Sequence, residues 1–205
     1  MKILSFLTFL FAALTILFGY LDKRFVYFFK PGAMIFIITA AFLYGERGGF
    51  YKRMILAGLL FSLAGDVLLI EPQNFVYGLA AFLVAHLFYI AAFARAGAGH
   101  FKPASLGAYL IGLAIVLAIY GGVPAELKIP VIFYAAAIST MLCAALNFQL
   151  AKRTRQSQFA LAGAALFVVS DAILAFNKFG YAFPAAPFFI LSTYFLAQWL
   201  IARST

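Results

Sequence analysis

Asp66 and Asp171 are the residues that call for a chemical explanation. Each lies in a run apolar enough to sit in a bilayer, "LAGLLFSLAGDVLLI" over 56–70 and "LAGAALFVVSDAILA" over 161–175. A charged side chain in the hydrocarbon region costs on the order of 3 kcal/mol by insertion scales and normally turns toward the bundle interior, so two of them point to a site. The plain alternative is a helix contact glued by carboxyl groups. In a low dielectric the neutral acid is favoured, and a neighbouring carboxylate favours it further on one member of a pair. One carboxyl can then hold a proton while the other carries charge, the division glycosidases use against an oxocarbenium-like transition state.

The residues around each aspartate fall at helical spacing. Ser62 stands four residues before Asp66 and Gly58 eight before, one stripe against which another helix or a substrate can close. Ser170 directly precedes Asp171, with Gly163 on a neighbouring part of its face. In the run after Asp66, Gly78, Phe82, His86 and Tyr89 share a face, and in the last run Tyr194 and Gln198 are i, i+4 partners. Tyr134 lies in the sixth run, and Lys30 and Lys178 mark the outer ends of the second and seventh. Each also has a structural reading. His86 can be a hydrogen-bonded core histidine, Tyr134 and Tyr194 anchors or packing, Lys30 and Lys178 snorkelling cations, and Ser62 a hydroxyl bonded back to its own helix.

Other chemistries fit less well. A three-histidine zinc site is out of reach for a chain whose two histidines are His86 and His100, the second in a polar break, so no metal is expected. There is no G-x-S-x-G run, which leaves serine hydrolysis a spatial pairing of Ser62 or Ser170 with His86. General acid/base work by two carboxyls, without a cofactor, is the reading the residues favour. The rival from another class is a proton-coupled transporter or lipid-binding protein whose aspartates take up and release protons.

Membrane helices must position these groups. Of 205 residues 66% are hydrophobic and 10% charged, against about 25% charged in soluble domains. The 15 Lys and Arg against 6 Asp and Glu fall mostly in short breaks between apolar runs, the pattern that sets membrane orientation, so nucleic acid is not an expected partner. Eight runs suit a bilayer core that takes about 20 residues per helix: 3–21, 27–44, 54–70, 75–93, 105–121, 130–150, 159–176 and 185–201. The first is too long for a signal peptide and lacks a small-x-small cleavage site, so it is read as a retained span. Breaks such as "EPQN" and "GGVP" leave no room for a soluble domain. The expectation is one all-α transmembrane domain over 1–205. On alternating sides, Lys2, Arg47, Lys52, Arg53, Arg95, Lys102, Lys152, Arg153, Arg155 and Arg203 face Lys23, Arg24, Lys30, Lys128 and Lys178, which puts both termini in the cytoplasm. The lone Cys143 excludes an intramolecular disulfide.

The two aspartates lie 105 positions apart, and that offset also aligns Leu56 with Leu161, Ala57 with Ala162, Gly58 with Gly163, Leu69 with Leu174 and Tyr89 with Tyr194. Chance among Leu, Ala and Gly is one explanation. A four-plus-four parallel repeat is the other, and it places both aspartates at one depth, about five residues or roughly 7 Å from the outer ends of their helices, in one cavity.

"FSLAGDVLLI", "GLAAFLVAHLFYIAAF", "LAGAALFVVSDAILAFNKF" and "STYFLAQWLI", with "KPGAM" opening the second span, resemble the YhhN-type lysoplasmalogenase family of eight-span membrane proteins. The likeness runs from Lys30 to Ile201, and the combination of FS-x-x-GD, AH-x-x-Y, SD and TYFLAQ is specific where each alone is weak. The resemblance implies an enzyme that hydrolyses the vinyl-ether bond of lysoplasmalogens to a fatty aldehyde and a glycerophospho-alcohol. Its lysophospholipid substrate would enter sideways from the membrane lipids, in the inner membrane of a bacterium. Protonation of the alkenyl β-carbon makes an oxocarbenium ion that water attacks, which requires an acid, a stabilising anion and a base. Asp66 and Asp171 would fill these roles as a pair. His86, Tyr134 and Tyr194 would position water, with Ser62, Ser170 and Gln198 beside the substrate. Lys30, helped by Lys178, would hold the phosphate at the mouth.

Overall fold

The computed structural model describes residues 2–44, 49–97 and 101–205; Arg47 of the charge count and His100 lie outside them. In hydrocarbon every backbone N–H and C=O must be satisfied within the chain, which a helix does by itself. The described residues accordingly wind into α1 (Lys2–Leu21), α2 (Val26–Tyr44), α3 (Phe50–Leu68), α4 (Phe75–Ala96), α5 (Gly107–Ile119), α6 (Ala125–Lys152), α7 (Arg155–Phe179) and α8 (Ala186–Arg203), with no strand among them. The protein is an all-α, polytopic integral membrane protein. Among the described residues six helices are long and apolar enough to cross a bilayer: α1, α2, α4, α6, α7, and α5 with its flanking 3-10 turns. The other two carry charges and polar groups, Lys52, Arg53 and Asp66 in α3 and Tyr194, Gln198 and Arg203 in α8.

Helix ends depart from the apolar runs where local chemistry decides. The run expected from 130 begins at Ala125, because Pro130 sits inside α6 rather than at its start, and Pro31 stands equally early inside α2. Each proline leaves one carbonyl of the preceding turn without its helical partner. Between α6 and α7 the chain turns on Arg153, held left-handed at φ 51°, and on Thr154, whose side chain and that of Ser157 cap each other's backbone N–H groups. At the far end α3 stops at Leu68, two residues past Asp66, whereas α7 runs eight residues past Asp171 to Phe179. The aspartates therefore do not stand equally far from their helix ends, as the repeat leads one to expect.

The centre is a layer of fully buried side chains from six helices, among them Met34 and Ile37 of α2, Leu59 of α3, Tyr89 of α4, Phe167 of α7 and Phe195 of α8. Few residues of α1 and α5 are buried. The packing has a pattern: α1 lies on α2 as α5 on α6, α2 on α3 as α6 on α7, α3 on α4 as α7 on α8, and α2 on α8 as α6 on α4. Close approach in the two tightest pairs needs glycine. A Cβ on Gly58 would run into the Tyr89 ring, and one on Gly163 would lie 2.9 Å from the Ala197 carbonyl oxygen and 2.7 Å from the Ile201 side chain.

Candidate active site

Asp66, on the last turn of α3, is reached from α2 and α8. The Lys30 ammonium lies 3.2 Å from Asp66 Oδ1 and donates to the Asp66 carbonyl at 3.0 Å, while Tyr194 donates its hydroxyl to Oδ2 at 2.5 Å. The side chains of Lys30 and Asp66 are only 10% and 2% exposed. Lys30 is thus not a cation free at the mouth for a lipid phosphate, the role expected of it. A buried lone charge is costly, and the carboxylate beside the Lys30 ammonium offsets part of that cost. Below the pair runs a buried polar chain in which Tyr89 donates to Gln198 Oε1 at 2.8 Å and lies 3.3 Å from the Ser62 hydroxyl.

Asp171, on α7, is reached from α6 and α4. Tyr134 donates to its Oδ2 at 2.6 Å, and His86 Nε2 lies 4.0 Å from the same oxygen. His86 is fully buried, its ring edge-on to Tyr134 and Phe167, and neither ring nitrogen has a hydrogen-bond partner among the described residues. The Asp171 side chain is 15% exposed and, with Tyr134, lines a cavity of about 70 Å³ walled by Ile115, Ile119, Val168 and Phe179. That is room for a few water molecules.

Asp66 is not among the residues lining this cavity, and where one shared chamber was expected the two carboxyls are held by separate partners, Lys30 and Tyr194 at one and Tyr134 and His86 at the other. Aromatic rings pack between their partners: Phe167 meets Tyr194, the Asp66 partner, at 5.6 Å and His86 at 4.8 Å between centroids, and Phe82 packs on both Phe167 and Tyr194. Ser170 bonds across to the Ile190 carbonyl at 3.0 Å and serves the α7–α8 contact. Lys178 is exposed at the end of α7, its ammonium 4.7 Å from the Phe75 ring. Gly112 and Ser139, which also line the cavity, went unremarked in the sequence because neither is charged nor in an aspartate stretch. Among the described residues no three His, Cys, Asp or Glu side chains cluster in a way that could hold a metal ion.

A carboxyl at the wall of an apolar cavity, held by a tyrosine hydroxyl and flanked by an unpartnered histidine, can give a proton to carbon and direct a water. Comparison with known proteins bears on which substrate brings such a carbon. The sequence model of the YhhN family matches residues 25–205. The chain is 34% identical over 163 residues to the lysoplasmalogenase TMEM86B of Sus scrofa, covering 78% of this chain and 66% of that protein. It is 34% identical over 177 residues to TMEM86B of Homo sapiens, covering 82% and 70%. It is 31% identical over 156 residues to a lysoplasmalogenase of Mycobacterium tuberculosis, covering 72% and 58%. The chain thus spans just under two thirds of the pig relative's length. No solved structure matches it.

Proposed function

The chain belongs to the YhhN family, and on that premise we propose that it hydrolyses the vinyl-ether bond of lysoplasmalogens. What supports the reading most is Asp171, a carboxyl at the wall of an apolar cavity with the Tyr134 hydroxyl at 2.6 Å and unpartnered His86 beside it.

Protonated Asp171 donates to the alkenyl β-carbon; the double-bond electron pair forms the new C–H bond, and the ether oxygen shares a lone pair with the adjacent carbon. The carboxylate left behind faces the oxocarbenium ion and stabilises it. Water directed by His86 then attacks that carbon and yields its proton to Asp171, which ends the cycle as it began. The hemiacetal collapses to fatty aldehyde and glycerophospho-alcohol. Tyr134 fixes the carboxyl. Asp66, paired with Lys30, is a positioning residue: it orients Tyr194 against Phe167, whose ring packs on His86. Ser62 and Gln198 hold Tyr89 in the same layer.

The reading includes a location in a bacterial inner membrane with both termini cytoplasmic, on the Lys and Arg distribution. It takes all eight helices as spans in a four-plus-four parallel repeat; in favour, Asp66 is held from α2 and α8, and Asp171 from α6 and α4, partners that exchange between the halves.

The test is aldehyde release from a purified lysoplasmalogen by the purified protein. In D2O the aldehyde should carry one deuterium at the carbon next to the carbonyl. Asp171→Asn should lower kcat by about 10²–10⁴. Absence of aldehyde from any alkenyl lysolipid would refute the hydrolase, and uptake of intact lipid with proton movement would favour the carrier. Full activity in Asp171→Asn would refute the site.

A further inference from the structure

A second groove lies on the outside of the bundle between α5 and α6, about 380 Å³ in volume. Its rim is exposed and apolar, with Leu113 54%, Leu117 67% and Ile132 47% exposed, as befits a surface facing lipid tails. Gly112, Val116, Ala135 and Ser139 line both this groove and the Asp171 cavity, so the two spaces share one wall. Gly112 keeps that wall thin: a Cβ there would collide with the Ser139 hydroxyl.

The groove has a polar end. Tyr120 closes it, and the Lys128 ammonium, on the first turn of α6, sits 4.3 Å from the centre of the Tyr120 ring without an ion-pair partner among the described residues. Lys128 precedes Tyr134, the Asp171 donor, by six residues, or about 9 Å along the helix. Gly122, just before α6, touches the end of α7, so the same end of the bundle holds Lys178. Along this path a cation comes first, then the carboxyl, then an apolar trough open to the side.

We infer that the α5–α6 seam binds a single-chain phospholipid, its phosphate at Lys128 and its tail leaving past Gly112 and Ser139 into the outer groove. Resting on the hydrolase reading, this sets the alkenyl bond at Asp171, because that bond lies between headgroup and tail. One tail fits a one-lane seam; a second would have no trough. Chain entry then requires only that Ser139 and Val116 side chains yield at the seam, and not that α5 leave the bundle.

The experiment is photolabelling of the wild-type protein in phosphatidylcholine vesicles with a 1-alkyl lysophospholipid that carries a diazirine midway along its chain. Labels concentrated on residues 109–117 and 132–139, and displaced by unlabelled lysolipid, are the expected result. Labels spread equally over the exposed faces of α1 and α2 would overturn the site. Gly112→Val should lower kcat/KM on a long-chain lysoplasmalogen at least about tenfold, the discrimination a few misplaced carbons impose, and remove the displaceable labelling. Lys128→Gln should raise KM about threefold at low salt and less at high salt, as for an exposed ion pair. Leu17→Ala, on the lipid-facing side of α1, should leave both readouts unchanged. Unchanged kcat/KM in a folded Gly112→Val also overturns the proposal; if that variant does not fold, the wild-type labelling decides. Wild type that labels at the seam but releases no aldehyde would refute the hydrolase and keep the lipid site. Wild type that releases aldehyde but labels elsewhere would do the reverse.

Discussion

At the scale of single residues, the two aspartates have become different kinds of group. Asp66 is closed in, with an ammonium on one oxygen and a tyrosine hydroxyl on the other; Asp171 has a tyrosine hydroxyl and a cavity. The difference can be measured. Asp66→Asn or Lys30→Met alone leaves a buried charge without its partner, which should cost about 3–5 kcal/mol of stability, whereas the double variant replaces the pair by neutral groups and should be more stable than either single. Thermal unfolding in detergent reads this directly, and a double variant as unstable as the sum of the singles would contradict the pairing. Tyr134→Phe removes a hydrogen bond to a carboxyl group, about 1.5–3 kcal/mol, and should slow turnover by about ten- to a hundredfold while the fold holds. His86 was legible as a candidate from its lone place in an apolar run. Its lack of a partner was not, since that depends on what α6 and α7 bring within reach.

Among the helices, contacts are set by small residues, since lipid tails compete for apolar surface and association rests on close packing. Gly163→Ala should destabilise the α7–α8 pair by about 1–3 kcal/mol because the new methyl meets backbone as well as Ile201. Gly19→Ala in α1, where a Cβ would meet nothing within 4 Å, should be neutral or gain about 0.5–1 kcal/mol from helix propensity. Equal melting temperatures for the two variants would count against glycine-mediated packing. The glycines aligned at the 105-residue offset, Gly58 and Gly163, were visible as a stripe in the sequence, and both are close-approach points. Helix ends were less legible. Runs judged by hydropathy stopped short at Pro130 and at 176, because proline tolerance near a helix start and the cap at Gly180 are local backbone matters that hydropathy does not sense.

For the whole molecule, the charge distribution predicts that a fluorescent protein fused after Thr205 glows in a bacterial host and that alkaline phosphatase at the same place stays inactive; the opposite pair of results would invert the orientation. A phosphatase inserted at Pro124, between α5 and α6, should be active. Composition and the contiguous apolar runs together determined that the chain is an all-α membrane protein, because a backbone in hydrocarbon satisfies its hydrogen bonds only in helices or closed barrels, and runs of about 20 residues suit the helix. Apolar context and spacing singled out Asp66, Asp171, His86 and Tyr194, because polar groups are too costly in lipid to be placed without reason, while Tyr134 gained a role only from the family resemblance. What only the tertiary structure decided is who meets whom: Lys30 turned inward to Asp66, Phe167 and Phe82 packed between the partners of the two carboxyls, and a thin wall at Gly112. Those outcomes depend on the rotation and separation of helices far apart in sequence, which side-chain volumes at many contacts settle together and no single stretch encodes.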